Sequence, residues 1–240
     1  MGVSINEQQT CRGRGRPPLR SDAETLRLIV DAAGQEFRAG GYAGTGMSAI
    51  AAHAGVSTKT LYRLVPTKAE LFRLVIRGRA GQFILAADQL DDAAEDLAAG
   101  LERLLTAYAN LALDPEVIAV YRLVIGECGR FPELGQTFFE SAVRPTSRVI
   151  ADWLARQCRR GSILLEDPEQ AADMLRGMMV MEPQRAALLA QAPPPGASAI
   201  AARAKACAKV FLEGCRTTRQ EAQPRAAFTT VRDRFVDAST

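Results

Sequence analysis

Histidine is almost missing from this 240-residue chain, which has one, His53. A single imidazole excludes any metal site built on several histidines, and a histidine-based triad would have to rest on His53, which lies within the paired short helical segments of Thr45 to Lys68, so none is assigned. Cysteine does not fill the gap. Cys11, Cys128, Cys158, Cys207 and Cys215 are odd in number, scattered and without a CxxC pair, so neither a disulfide framework nor a zinc site is indicated. They read as core packing, with a redox response at Cys128 and Cys158 as the other reading. No charge-free apolar run of about eighteen residues occurs, and the first residues lack the apolar stretch of a signal peptide; the expectation is a cytoplasmic protein without a membrane partner. No glycine-rich loop opens a strand-to-helix turn, because Arg12-Gly13-Arg14-Gly15-Arg16 follows no strand. The carboxylate pairs Asp91-Asp92 and Glu166-Asp167 fall at helix starts, where negative charge suits the dipole. No catalytic residue, metal or cofactor is assigned, and an enzyme is not expected.

Positive charge, by contrast, is concentrated at one end. Residues 1–79 carry 12 Lys+Arg and 6 Asp+Glu, whereas residues 80–240 carry 18 and 21. A basic end on a near-neutral body suits a polyanion gripped at that end alone. The same end contains Thr45 to Lys68, TGMSAIAAHAGVSTKTLYRLVPTK, two short amphipathic segments joined at Gly55. Met47, Ile50, Ala51 and Ala54 recur at helical spacing and make a small apolar face. Thr45 is expected to cap the first segment, Gly55 to end it in the left-handed conformation, and Ser57 to cap the second. This is the layout of a helix-turn-helix, with Thr58, Lys59, Thr60 and Tyr62 near the start of the helix that would enter a major groove. The partner it implies is double-stranded DNA.

Upstream, Ser21-x-x-Glu24 is a capping box opening a helix with an Ile29, Ala33, Phe37 stripe that Gly40-Gly41 should end. It supplies a third wall, because two short helices are too small to be stable alone. Residues 1–20 read as a flexible basic arm. They are either a solvated tail or a minor-groove arm in which Arg14 and Arg16 of an Arg-Gly-Arg-Pro core, similar to an AT-hook, enter a narrow A·T-rich groove.

After Pro66, Thr67 should cap a helix through Leu71, Phe72, Val75 and Ile76 that runs to about Leu85 and connects the head to the rest. From there every periodic segment reads as helix, over about Asp92–Ala112, Pro115–Cys128, Pro132–Arg160, Pro168–Gln191 and Ser198–Arg219, with Pro145 kinking or splitting the third. The fold class expected is all-α: a three-helix DNA-binding head over residues 21–82, a helical regulatory and dimerisation bundle over 83–219, and a flexible tail over 220–240.

On Thr45, Ile50, Ala51, Ala54, Gly55, Val56, Ser57, Leu61, Tyr62, Lys68 and Leu71, the head resembles the TetR/AcrR family of transcriptional regulators. Lys59 departs from a position often held by glycine, and Leu64-Val65 replaces the usual histidine-phenylalanine. Less specifically, Tyr121 to Leu134, with Arg160-Gly161 and Asp167-Pro168, resembles the AefR-like branch, which is all-helical, dimeric and regulatory. The resemblance implies a homodimer on a palindromic operator, with A·T-rich flanks if the arm is engaged. Thr58, Lys59 and Thr60 would face base edges or phosphates, Tyr62 and Lys68 would hold the backbone, and Thr45 and Ser48 would touch phosphate. It also implies an effector that moves the connecting helix, and the aromatic residues of the central helices would make it a small apolar one.

Tyr108, Tyr121, Phe138, Phe139 and Trp153 are candidates for the effector pocket or for plain core, and Glu127, beside Cys128 and Arg130, is the polar group that could orient a ligand. Leu175, Met178, Met179, Leu188 and Leu189, facing Ile200, Val210, Phe211 and Leu212, read either as dimer interface or as core. Two alternatives to an effector-controlled repressor are an architectural DNA-binding protein without effector and a cysteine redox-responsive regulator.

Overall fold

The computed structural model describes residues 20–88 and 96–215, and all regular structure among them is helical. Helix α1 (Asp22–Gly44) starts at a capping box in which Ser21 Oγ accepts from the Glu24 N–H while the Glu24 carboxylate accepts from the Ser21 N–H. Its regular run breaks at Gly41, as expected: that residue takes φ 71° and ψ 171°, outside any helical region, and a short helical stretch then leads to Gly44; glycine alone adopts that conformation without strain. Helices α2 (Met47–His53) and α3 (Thr58–Leu64) follow, joined by Gly55 at φ 65°. Ser57 Oγ accepts from the Thr60 N–H, so the second cap is as expected. The first is not: Gly46 occupies the N-cap of α2 with no side-chain bond, and Thr45 instead closes α1, donating to Gly41 O (2.7 Å) and Glu36 O (3.0 Å).

Helix α4 (Lys68–Asp88), capped by Thr67 Oγ1, passes without a break through the boundary expected at residues 82–83. Then come α5 (Leu97–Ala112), α6 (Pro115–Glu127), α7 (Pro132–Phe138), a π-helical turn (Phe139–Val143), α8 (Arg144–Arg159), α9 (Pro168–Leu188) and α10 (Ala197–Cys215). The π-turn is how the chain accommodates Pro145. Proline has no N–H to give, and Thr146 Oγ1 donates to Ala142 O (2.7 Å) and Val143 O (3.0 Å), satisfying carbonyls near the irregularity.

Two apolar cores hold these helices. One joins the head to α6 and α7 through Val120, Val124, Leu134 and Phe138, packed with Phe37, Leu61, Leu71 and Phe72. The other joins the end of α4 to α5, α8, α9 and α10. Leu175, Met179, Ile200 and Leu212 are fully or almost fully buried within the second core, so these four belong to the protomer's own packing and not to its surface. Val210 (61% exposed) and Leu189 (63%) remain outside, with Met174 and Met181 on α9. No helix among the described residues is long and apolar enough to cross a membrane.

Candidate nucleic-acid interface and ligand chamber

The head presents α3 outward because its inward positions are apolar. Leu61 is fully buried and Val65 closes the helix beneath it. Thr58, Lys59 and Tyr62 are exposed on the opposite face, and Ser48 is exposed on α2. The Thr60 hydroxyl lies 2.8 Å from Ser57 Oγ and so belongs to the cap as much as to the surface. Arg63 makes a two-point bond to Asp22 (2.7 and 2.8 Å), tying α3 to the start of α1. His53 Nδ1 lies 2.8 Å from Glu36 Oε1 and braces α2 against α1.

Two residues expected at phosphates face inward. Thr45 is buried, its hydroxyl bonded within α1. Lys68 Nζ donates to Thr45 O (2.7 Å) and sits 4.6 Å from the centre of the Tyr42 ring, and burial holds its ammonium below the usual lysine range, against the pull of Glu127. The spacing that places a lysine at the start of α4 cannot reveal that a carbonyl and an aromatic face already receive it. Arg14 and Arg16 lie outside the described residues.

Behind the head, α4, α6, the π-turn and α9 enclose two adjoining spaces. An inner cavity of about 120 Å³ is walled by Val75 and Ile76 of α4, Val117, Val120 and Tyr121 of α6, and Phe138 and Val143. An outer cleft of about 700 Å³ between the π-turn, α8 and α9 shares Tyr108, Tyr121, Val143, Arg176 and Gln184 with it. Arg176 Nε donates to the Tyr108 hydroxyl (3.1 Å), and burial pushes that phenol up, with Arg176 acting in the opposite sense. At the other end Glu116 pairs with Arg38 (3.2 Å) and Arg79.

Of the expected ligand residues, Tyr108, Tyr121 and Phe138 line the inner cavity, the last two stacked at 4.9 Å, and Phe139 lines the outer cleft beneath Arg144. Trp153 does not: it is buried in the second core against Gly100. Nor does Glu127, whose carboxylate accepts the N–H groups of Tyr42 (2.7 Å) and Ala43 (2.9 Å). Arg38, Arg79, Glu116 and Arg176 also line the chamber, and aromatic spacing gives no sign of them. Their only signal is charge on helices otherwise turned to apolar partners. Among the described residues no group of three or more His, Cys, Asp or Glu could hold a metal ion.

Comparison with known proteins accounts for both halves of this arrangement. Residues 29–75 match the family model described as bacterial regulatory proteins, tetR family, and residues 99–214 match that of the AefR-like transcriptional repressor, C-terminal domain. No curated protein sequence matches the chain. Among solved structures, a regulator from Mesorhizobium loti MAFF303099 assigned to the TetR family is 29% identical, with 81% of this chain and 98% of that one covered and a TM-score of 0.72. The flavonoid-responsive regulator FrrA is 27% identical, with 82% and 99% covered and a TM-score of 0.68. FadR from Bacillus subtilis, solved with stearoyl-CoA, is 20% identical, with 79% and 99% covered and a TM-score of 0.63, and shares the fold. With a helix-turn-helix head matched at one end and an AefR-like domain at the other, the chain belongs to the TetR family and is a DNA-binding transcriptional regulator.

Proposed function

We propose that the chain is a homodimeric repressor released from its operator by a small, mainly apolar effector. The carrying observation is the inner cavity, because its walls are the helices that hold the head: α4 continues out of it, and α6 shares its apolar core. An effector between α4 and α6 would therefore change the separation of two heads that must meet half-sites about 34–36 Å apart. Base contacts fall to Thr58, Lys59 and Thr60, and backbone contacts to Ser48 and Tyr62. Arg14 and Arg16 add the A·T-rich flank. Thr45 and Lys68 support this surface from within.

The cavity favours an aromatic or acyl body with a polar end against Arg176 and Tyr108, or against the Arg38–Glu116 pair. Flavonoid response in FrrA and stearoyl-CoA in FadR are in keeping with that chemistry. Exposed Met174 and Met181 on α9, Leu189 at its C-cap and Val210 on α10 would supply the dimer face, with methionine making it adaptable.

Selection of duplexes from a random pool, with full-length protein and with a variant lacking residues 1–20, tests the DNA half. A palindrome is expected, and its A·T-rich flanks should disappear with the arm; the absence of any palindrome sinks the dimer. Thermal-shift titration with quercetin and with stearoyl-CoA tests the other half. A compound that stabilises the protein should lose its effect in Phe138→Ala, and equal stabilisation of the two proteins would place the ligand elsewhere.

A further inference from the structure

Helix α6 is tied to α1 at both of its ends. Near its start Glu116 pairs with Arg38, and at its last residue Glu127 receives two backbone N–H groups from the segment after Gly41. Between these ties, Val117, Val120 and Tyr121 face the inner cavity. The second tie requires an unusual backbone. Gly41 sits at φ 71°, and a Cβ built there would lie 2.7 Å from Glu127 Oε1. The carboxylate therefore occupies space that only glycine leaves free, in a conformation that only glycine adopts without strain.

What Glu127 holds is the lead-in to the helix-turn-helix. Tyr42, whose N–H it accepts, packs its ring against Phe37, Phe72 and Phe131. The same ring lies under Lys68 Nζ, which donates to Thr45 O, one residue before the cap of α2. Thr45 Oγ1 returns a bond to Gly41 O. The two N–H groups on one carboxylate, the ammonium and the hydroxyl thus fix residues 41–45 as one unit, bonded by side chains of two helices that line the inner cavity, α4 through Lys68 and α6 through Glu127.

We infer that Glu127 is the positioning residue through which α6 sets the angle of the DNA-binding head, a latch on the Gly41 bend that carries movement at the effector cavity to α2 and α3. This rests on the dimeric, effector-controlled reading above. It adds a route through α6 and the end of α1, which meets the connecting helix α4 at Lys68.

The test uses full-length protein and the selected operator, with variants in which the spacer between half-sites is one base pair longer or shorter. Wild type should lose about tenfold or more in affinity on either change. Glu127→Ala should bind the parent operator about tenfold more weakly, discriminate spacers by less than about threefold, and keep wild-type affinity for non-specific duplex and wild-type Trp153 fluorescence on melting. Glu127→Gln should fall between, since its amide has one acceptor for two N–H groups. Gly41→Ala should resemble Glu127→Ala, and should do less in the Glu127→Ala background, where the colliding oxygen is gone. Unchanged spacer discrimination in Glu127→Ala, or an equal effect of Gly41→Ala in both backgrounds, overturns the latch.

Amide exchange reads the latch without a dimer. Glu127→Ala should speed exchange about tenfold through Met47–Leu64 and leave α5 and α10 alone, whereas acceleration confined to Tyr42 and Ala43 overturns the positioning role. A wild type that selects no paired half-sites counts against the dimer only, since the exchange measurement still decides the latch.

Discussion

Two lysines with similar sequence credentials play opposite parts at the scale of single residues. Lys59 is exposed on α3, while Lys68 is folded onto a carbonyl and an aromatic ring. Lys59→Ala should weaken and relax recognition and reduce the slope of log affinity against log salt by about one if a phosphate is among its contacts. Lys68→Ala should leave that slope alone and instead lower the stability of the head by about 1–2 kcal/mol, from the lost hydrogen bond and cation–π contact. Salt titrations and thermal melts of the two variants separate the roles, and a reduced slope in Lys68→Ala would return it to the DNA surface.

Acid should act on the head through Asp22. The hydrogen bond from Arg63 holds this carboxyl below its ordinary range. Its folded pKa lies below the unfolded one, so its contribution is present above the unfolded value and is lost as pH falls through the folded value. Circular dichroism across about pH 5 to 2 should show an acid-induced loss in wild type that is smaller in Asp22→Asn.

At the scale of elements, α9 carries Pro183 inside a 21-residue helix. Proline lacks the N–H that would bond the carbonyl four residues back, which is Met179 O. Arg203 of α10 fills that position: its Nε donates to Met179 O (2.7 Å) and its Nη2 to Met178 O (2.8 Å). The helix defect and the helix pairing are thus one feature. Arg203→Ala should cost about 2–3 kcal/mol in denaturant unfolding, and less when combined with Pro183→Ala, which restores a backbone donor. Strict additivity would separate the two features. Proline spacing along the chain exposes the defect, but nothing local to α9 names its partner, since the donor is 20 residues away on another helix.

Assembly and domain coupling belong to the whole molecule. Val210→Glu and Met181→Glu change residues that are exposed in the protomer, so each should fold normally, sediment as a monomer and lose palindromic operator binding. A dimer that survives both substitutions would move the interface off α9 and α10. Trp153→Phe, in contrast, should lower the melting temperature and leave effector binding intact, because Trp153 packs in the second core and not in the chamber.

The helices, the capped turn at Gly55 and Ser57, the exposed face of α3 and the family itself were legible in the chain, because caps, apolar periodicity and left-handed glycines act within a few residues. The direction of Thr45 and Lys68, the removal of Trp153 and Glu127 from the chamber, the annexation of α6 and α7 by the head's core, and the pairing of Gly41 with a carboxylate 86 positions later were not. Each depends on which distant surface a side chain meets once the helices pack. Burial and electrostatic pairing are set by that packing, and no repeat in the sequence encodes the partner.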